Sequence, residues 1–223
     1  MSGIMMSLAN NVTIIPVANG SMNFHATSYE SLNMSSAAMG TSSTDVTIEF
    51  WMRPNVFVDP LGVFSWYAEG VGQMSIRYNS GSLTVTTPVN FPIGQISYAV
   101  APNVWTYICT GNFNGVTQLT VNGVNRGSST TANYTWSTGL NVGYDGYSFD
   151  GLITDFRISN ADVNGIGSGG GCSIPTQPLT ATPGTTILLL SAATPATVTT
   201  DTSGNNAFVS PNPLPTWSPL TPY

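Results

Sequence analysis

The side chains best suited to chemistry in this chain stand together in the run Tyr144-Asp145-Gly146-Tyr147-Ser148-Phe149-Asp150. Aromatic rings give apolar platforms for the C–H faces of a sugar, and carboxylates accept hydrogen bonds from its hydroxyls, so Tyr144, Asp145, Tyr147 and Asp150 form a candidate glycan-binding set. Asp145 and Asp150 also have the chemistry for calcium, which takes about six to eight oxygen ligands. The same run has a plain structural reading, in which Tyr144 and Phe149 pack and Asp145-Gly146 turns the chain.

Catalysis has less to draw on. Glycosidic hydrolysis needs two facing carboxyls, about 5–5.5 Å apart for retention or about 6.5–9.5 Å for inversion. Glu30, Glu49 and Glu69 stand alone, and Asp145, Asp150 and Asp155 are spaced by five, an odd number that sends neighbours on a regular strand to opposite faces. His25 is the only histidine, so it reads as an ordinary surface or pocket residue. Cys109 and Cys172 have no metal-ligand spacing; they read as buried thiols, with a disulfide left open. The expectation is a protein that is not an enzyme and has no cofactor, calcium at Asp145 and Asp150 being the one candidate.

Composition narrows the partners. Charged residues make up 6% of 223, lysine is absent, and the formal charge is −6, which leaves no basic footprint for a phosphate backbone. Nucleic acid is therefore excluded as an expected partner. Apolar residues at 41% suffice for a core, and the longest aliphatic run, Ile187-Leu188-Leu189-Leu190, is too short to cross a bilayer. Residues 1–8 show no basic segment followed by an apolar one, so they do not read as a secretory signal.

These residues must be positioned by strands. Val46, Ile48, Phe50 and Met52 alternate with Thr47, Glu49, Trp51 and Arg53, the period of two that gives a strand two different faces. Similar short runs predict strands near Val12–Val17, Ser21–His25, Ser31–Met34, Gly62–Tyr67, Met74–Asn79, Ser82–Thr87, Gln95–Val100, Thr106–Asn112, Thr117–Val121, Leu140–Val142, Gly151–Ser159 and Thr186–Ser191. Asn114-Gly115 and Asn122-Gly123 supply hairpin turns. Gly165–Gly171 lacks the ending of a phosphate loop and reads as a crossing loop. The organisation expected is an N-terminal arm and first strand over 1–19, a sandwich over 20–210, and a proline-rich arm over 211–223 with no ladder of its own.

In order and spacing, Gly20-Ser21-Met22-Asn23-Phe24, Thr47-Ile48-Glu49-Phe50-Trp51-Met52-Arg53-Pro54, Val104-Trp105-Thr106-Tyr107, Leu119-Thr120-Val121-Asn122-Gly123 and Gly151–Ser159 resemble the concanavalin A-like lectin/glucanase superfamily. Within it they are similar to the laminin-G-like domains of viral virion proteins. The resemblance implies an all-β, two-sheet antiparallel jelly-roll sandwich. It also implies that Glu49 and Arg157 meet across neighbouring strands as an exposed pair. The superfamily's glucanases carry a clustered Glu-x-Asp-x-x-Glu on one strand, and no such cluster occurs here.

The leading functional expectation is a non-enzymatic virion surface protein, a capsid decoration or fibre-like subunit. Such a subunit is homo-oligomeric, contacts other capsid proteins through its terminal arms, is not inserted in a membrane, and sits on the particle surface. A charge-poor exterior suits packing against copies, since few charges need desolvation. The alternative expectation is a carbohydrate-binding adhesion module.

Overall fold

The computed structural model describes residues 20–34, 45–55, 61–68, 72–79, 81–86, 96–130, 136–163, 165, 168–205, 209–211 and 213–223. The strand expected at Val12–Val17 and the arm over 1–19 lie outside these residues. The described strands are β1 (Ser21–Phe24), β2 (Leu32–Met34), β3 (Val46–Pro54), β4 (Leu61–Ala68), β5 (Gly72–Asn79), β6 (Ser82–Thr86), β7 (Ile96–Ala99) and β8 (Thr106–Phe113). They continue with β9 (Val116–Val121), β10 (Val124–Thr130), β11 (Trp136–Val142), β12 (Gly151–Ser159), β13 (Thr186–Leu190), β14 (Val209–Pro211) and β15 (Thr216–Ser218).

They build two antiparallel sheets. Sheet 1 runs β10-β9-β8-β3-β12-β1-β15, with β13 also on β12, and sheet 2 runs β14-β2-β11-β4-β5-β6-β7. This is the all-β sandwich that the alternating runs predict, in the two-sheet jelly-roll form that the family resemblance implies. The inner faces carry the apolar phase of each strand: Ile48, Phe50 and Met52 from β3 face Phe64, Trp66, Ile76 and Leu140 from sheet 2 in one buried cluster. Phe50 stacks on Phe156 at 5.4 Å between centroids, and Phe64 of the opposite sheet meets Phe156 edge-on at 5.8 Å. Each such pair adds about 0.5–1.5 kcal/mol beyond its buried area, so this trio fastens the two sheets together.

Strand β12 is divided by a bulge between Thr154 and Arg157, where Asp155 takes φ +52°. Its first half pairs with β1 and its second half with β13, the bulge separating the two partners. The register sets Arg157 opposite Glu49, and the Arg157 Nε and Nη2 atoms lie 2.6 and 2.5 Å from Glu49 Oε1.

The expected pair is thus formed, but it is not exposed: Glu49 is 0% and Arg157 8% accessible. Two segments cover the outer face of sheet 1. One is the crossing segment, where Thr180 O accepts from Arg157 Nη1 at 2.8 Å and Cys172 packs with Trp51, Tyr107 and Cys109. Both cysteines are buried free thiols.

The other cover is the C-terminal segment, and here the expectation of an arm without a ladder is corrected. Residues Thr216–Ser218 pair with β1, while Val209–Pro211 pairs with β2. Trp217 lies so close over Gly20 that a Cβ there would sit 2.2 Å from its Nε1, and this nitrogen donates to Ala192 O at 3.0 Å. Tyr223 ends the segment with its hydroxyl donating to Asp155 Oδ2 at 2.6 Å and accepting from Trp51 Nε1 at 3.0 Å. The prolines limit pairing to three residues, but the flanking aromatic side chains anchor the segment. Strand β10 was also unforeseen, because Asn125-Arg126-Gly127-Ser128 has little apolar alternation.

Candidate functional site

The outer face of sheet 2 is built from the polar phase of its strands. Leu32 and Met34 flank Asn33, and Leu140 and Val142 flank Asn141; the apolar neighbours enter the core and the two asparagines point out. Registration then aligns Asn33, Asn141, Ser65, Ser75 and Thr86 in one row across β2, β11, β4, β5 and β6. Five strands at about 4.8 Å spacing make this row about 19 Å long.

Hydrogen bonds link the row. Asn33 Nδ2 donates to Asn141 Oδ1 at 2.9 Å, Asn141 Nδ2 to Ser65 Oγ at 3.4 Å, and Ser65 Oγ to Tyr144 O at 3.1 Å. Ser75 and Thr86 share a hydroxyl contact at 2.5 Å, and Thr84 and Ser97 another at 3.1 Å. The two asparagine side chains are thereby held in fixed orientations by neighbours that carry no charge.

Over one end of the row lies a groove of about 290 Å³ lined by Tyr29, Ser31, Asn33, Asn141 and Tyr144. Tyr29 is 69% exposed and sits at φ +54° at the end of a short 3-10 turn, Ala26–Ser28. Glu30 fixes that turn by accepting from the His25 backbone N–H at 2.8 Å and contacting His25 Nδ1 at 3.0 Å. Ser31 N–H donates to Pro213 O at 3.2 Å, which ties the turn to the C-terminal segment. His25 therefore acts as a strut for the Tyr29 turn.

The other wall is the loop carrying the residues singled out in the sequence. Tyr144 lines the groove, half-buried, and bridges Ser148. Asp145 is 2% exposed, and its Oδ2 lies 2.5 Å from Arg77 Nε. Tyr147 is exposed beneath the Arg77 guanidinium, 5.6 Å from the ring centroid. Asp150 lies at the loop's other end, accepting from Asn55 Nδ2 at 3.0 Å and not lining the groove. Phe149 enters the core against Phe24. The loop approaches β4 at Gly62, where a Cβ would meet the Asp145 nitrogen at 2.3 Å, so no larger residue fits there.

Only Tyr144 of the four expected residues lines the groove; its other lining residues, Tyr29, Ser31, Asn33 and Asn141, were not among the candidates. The signal for the asparagines was present: both stand in apolar-Asn-apolar triplets that put them on a solvent face. Tyr29 carried no periodic signal, since a left-handed turn position presents it. Asp145 and Asp150 engage different partners, and among the described residues no group of three or more His, Cys, Asp or Glu is placed to hold a metal ion. No helix of the described chain is long and apolar enough to cross a membrane.

The other concentration of ionisable groups lies under the cover of sheet 1. Tyr107 donates its hydroxyl to Glu49 Oε2, and burial, followed by the Glu49 charge, pushes the phenol far above its usual value. Burial raises the Asp155 carboxyl from 3.8 to about 6, opposed by the hydrogen bonds from Tyr223 and the Leu179 backbone and by the Arg157 charge. Tyr223 is pushed up by burial and by Asp155. The groups here bond to one another, and they hold the covering segments to the sheet.

The two packed sheets and their strand order define a concanavalin A-like sandwich. A family model described as the concanavalin A-like lectin/glucanases superfamily matches residues 24–165, and the chain belongs to that superfamily. Among solved structures it is similar to a Bacteroides ovatus protein classed by inference as carbohydrate-binding, at 14% identity and TM-score 0.62 over 86% of this chain. The chain spans 59% of that protein's length. It is also similar to the heptameric SAP-like pentraxin of Limulus polyphemus, at 16% identity and TM-score 0.51, covering 67% of this chain and 79% of the pentraxin. At these identities the likeness concerns the fold. No curated protein matches the sequence.

Proposed function

We propose that this chain is a non-catalytic carbohydrate-recognition domain whose ligand lies between Tyr29 and Tyr144, over Asn33 and Asn141. One observation carries the reading: an open groove with two tyrosines in its lining and a floor of hydrogen-bonding groups without charge. Rings stack on the C–H faces of pyranoses, and amides held in one orientation discriminate hydroxyl geometry. The groove lining contains no charged side chain, and nearby Arg77 is neutralised by Asp145, so the preferred ligand is a neutral glycan. The row's direction suits an extended oligosaccharide crossing the strands. The Bacteroides ovatus neighbour's classification as carbohydrate-binding is consistent with it.

The same geometry supports a non-enzymatic role. Among the described acids, Glu49 and Asp155 are buried under the covering segments, Glu30 binds His25, and Asp145 binds Arg77. None stands opposite a second carboxyl in the groove. The reading requires no calcium, so binding is expected to survive EDTA. A glycan array followed by calorimetry on the best neutral oligosaccharide tests the proposal. Tyr29→Ala and Asn141→Ala are expected to weaken binding at least tenfold and Asp150→Ala to leave it unchanged. Silence of the wild-type chain across the array would end it.

A second reading places this domain on a virion surface as a decoration or fibre-like subunit contacting copies of itself or other capsid proteins. Its support is the exterior: charge is 6% of the composition, and two of the four arginines are paired with carboxylates that are themselves buried. Light scattering at rising concentration tests self-association, and immunodetection in purified particles tests location. A monomer throughout, absent from particles, would remove this reading while leaving glycan binding intact.

A further inference from the structure

We propose a second ligand groove, on the outer face of sheet 1, that takes an acetamido sugar. It lies at the end of the β8–β9 hairpin farthest from Trp51, measures about 410 Å³, and is lined by Phe113, Asn114, Val116, Gln118, Ser168 and Gly169. It shares no residue with the tyrosine groove, which belongs to the other sheet. Its existence does not depend on the function proposed for that groove.

Local sequence makes this space. Phe113 and Val116 face each other on the last rung of the hairpin, and Gln118 stands one outward position further along β9. The residue opposite Gln118 is Gly111, which contributes no side chain, so space remains beside the glutamine. The far wall is the glycine-rich crossing segment, held in place by Asn125 Nδ2 donating to Gly169 O at 3.1 Å. The lining is one aromatic ring, one branched aliphatic chain, two carboxamides and one hydroxyl, with no ionisable group.

One group in this lining is chemically incomplete. Gln118 is 8% exposed, and its Oε1 has no hydrogen-bond partner. That oxygen has almost no accessible surface here, so a ligand donor reaches it only when the glutamine side chain turns into the groove, a turn that a carbonyl left without a partner favours. The neighbouring surface, Phe113 and Val116, favours an apolar group attached to that donor. A secondary acetamide combines the two: its N–H donates to Gln118 Oε1, and its methyl packs on Phe113 and Val116. The Asn114 carboxamide, on an exposed residue, is left for sugar hydroxyls, and the Ser168 hydroxyl, which donates to Gly165 O at 2.6 Å, can still accept from one. A volume of this size matches the lower part of the range of small-molecule sites.

The test is a titration of the full chain with N-acetylglucosamine, followed by the NMR signals of the Gln118 side-chain amide and the Phe113 ring, with glucose as the analogue lacking the acetamide. N-acetylglucosamine is expected to shift both signals and glucose to bind at least tenfold more weakly. Gln118→Met, which keeps length and removes the acceptor, and Ser168→Trp, which fills the groove from an exposed position, should each weaken binding at least tenfold. Tyr29→Ala should not. No shift at either residue at saturating N-acetylglucosamine overturns the proposal, as does undiminished binding to a folded Ser168→Trp chain. Loss of the response with Tyr29→Ala alone would also overturn it, by moving the sugar to the other groove. Failure of the tyrosine groove is read separately, from the oligosaccharide calorimetry.

Discussion

The outer faces of the two sheets start from the same pleat and end in opposite states. On sheet 1 the outward positions of β3 and β8 carry Glu49, Trp51, Tyr107 and Cys109, and all four are buried. On sheet 2 the outward positions of β2 and β11 carry Asn33 and Asn141, which line an open groove. Alternation puts a residue on a face, but it does not say whether another segment will cover that face. Here the crossing segment and the C-terminal segment cover one face only. The covered face can hold ions because each has partners there, and the uncovered face is limited to groups that tolerate both water and a ligand.

The comparison breaks most sharply at Glu49 and Arg157. Removing one partner of a buried pair leaves the other without compensation, so Arg157→Met should cost about 3–5 kcal/mol of stability in urea denaturation. Replacing both partners with apolar residues should restore most of it. If Arg157→Met instead cost less than 1 kcal/mol, the value of an exposed pair, sheet 1 would not be covered in solution.

The next effect is pH dependence. The folded state raises the Asp155 carboxyl from 3.8 to about 6, so it binds a proton more tightly than the unfolded chain does. Its contribution to stability therefore grows as pH falls through about 6 and levels off below 3.8, and at pH 7 the charged form costs about 3 kcal/mol relative to that limit. Asp155→Asn should flatten the stability profile between pH 4 and pH 7 and raise stability at pH 7. Asparagine tolerates the φ of +52° and still accepts from Tyr223. A profile equally steep in the variant would assign the slope to another group. Smaller again is Tyr223→Phe, which deletes the charge-assisted hydrogen bond to Asp155 and the one accepted from Trp51 Nε1, and should cost about 1.5–3 kcal/mol at pH 7.

Much of this was legible in the sequence for local reasons. Val46–Arg53 and Gly151–Ser159 alternate clearly enough to give both strands, and their order in the family gave the Glu49–Arg157 register. The burial of that pair was not legible, because Thr180 and Tyr223 lie far away in sequence and in segments without periodicity. The C-terminal pairing was hidden by Pro215 and Pro219, which frame a ladder too short to alternate. The groove divides in the same way. Asn33 and Asn141 were readable from their apolar flanks, but Tyr29 depends on a left-handed turn held by Glu30 and Pro213. Acidic loop residues attracted notice as glycan ligands, yet Asp145 is occupied by Arg77, a partner 68 positions away.

The smallest stability effect is expected on the open face, where it best distinguishes a binding surface from a structural one. Asn141→Ala removes the acceptor for Asn33 and the donor to Ser65, two hydrogen bonds bordering solvent that water can replace. The cost should be about 0.5–1 kcal/mol in denaturant, several times less than on the covered face. The same substitution should weaken neutral-oligosaccharide binding at least tenfold, because water cannot reproduce an amide held in one orientation against the ligand. Measuring both quantities on one variant separates the roles. A large loss of stability with unchanged binding would make the asparagine row a structural ladder like the one beneath Tyr223, and the two faces would then differ in cover alone.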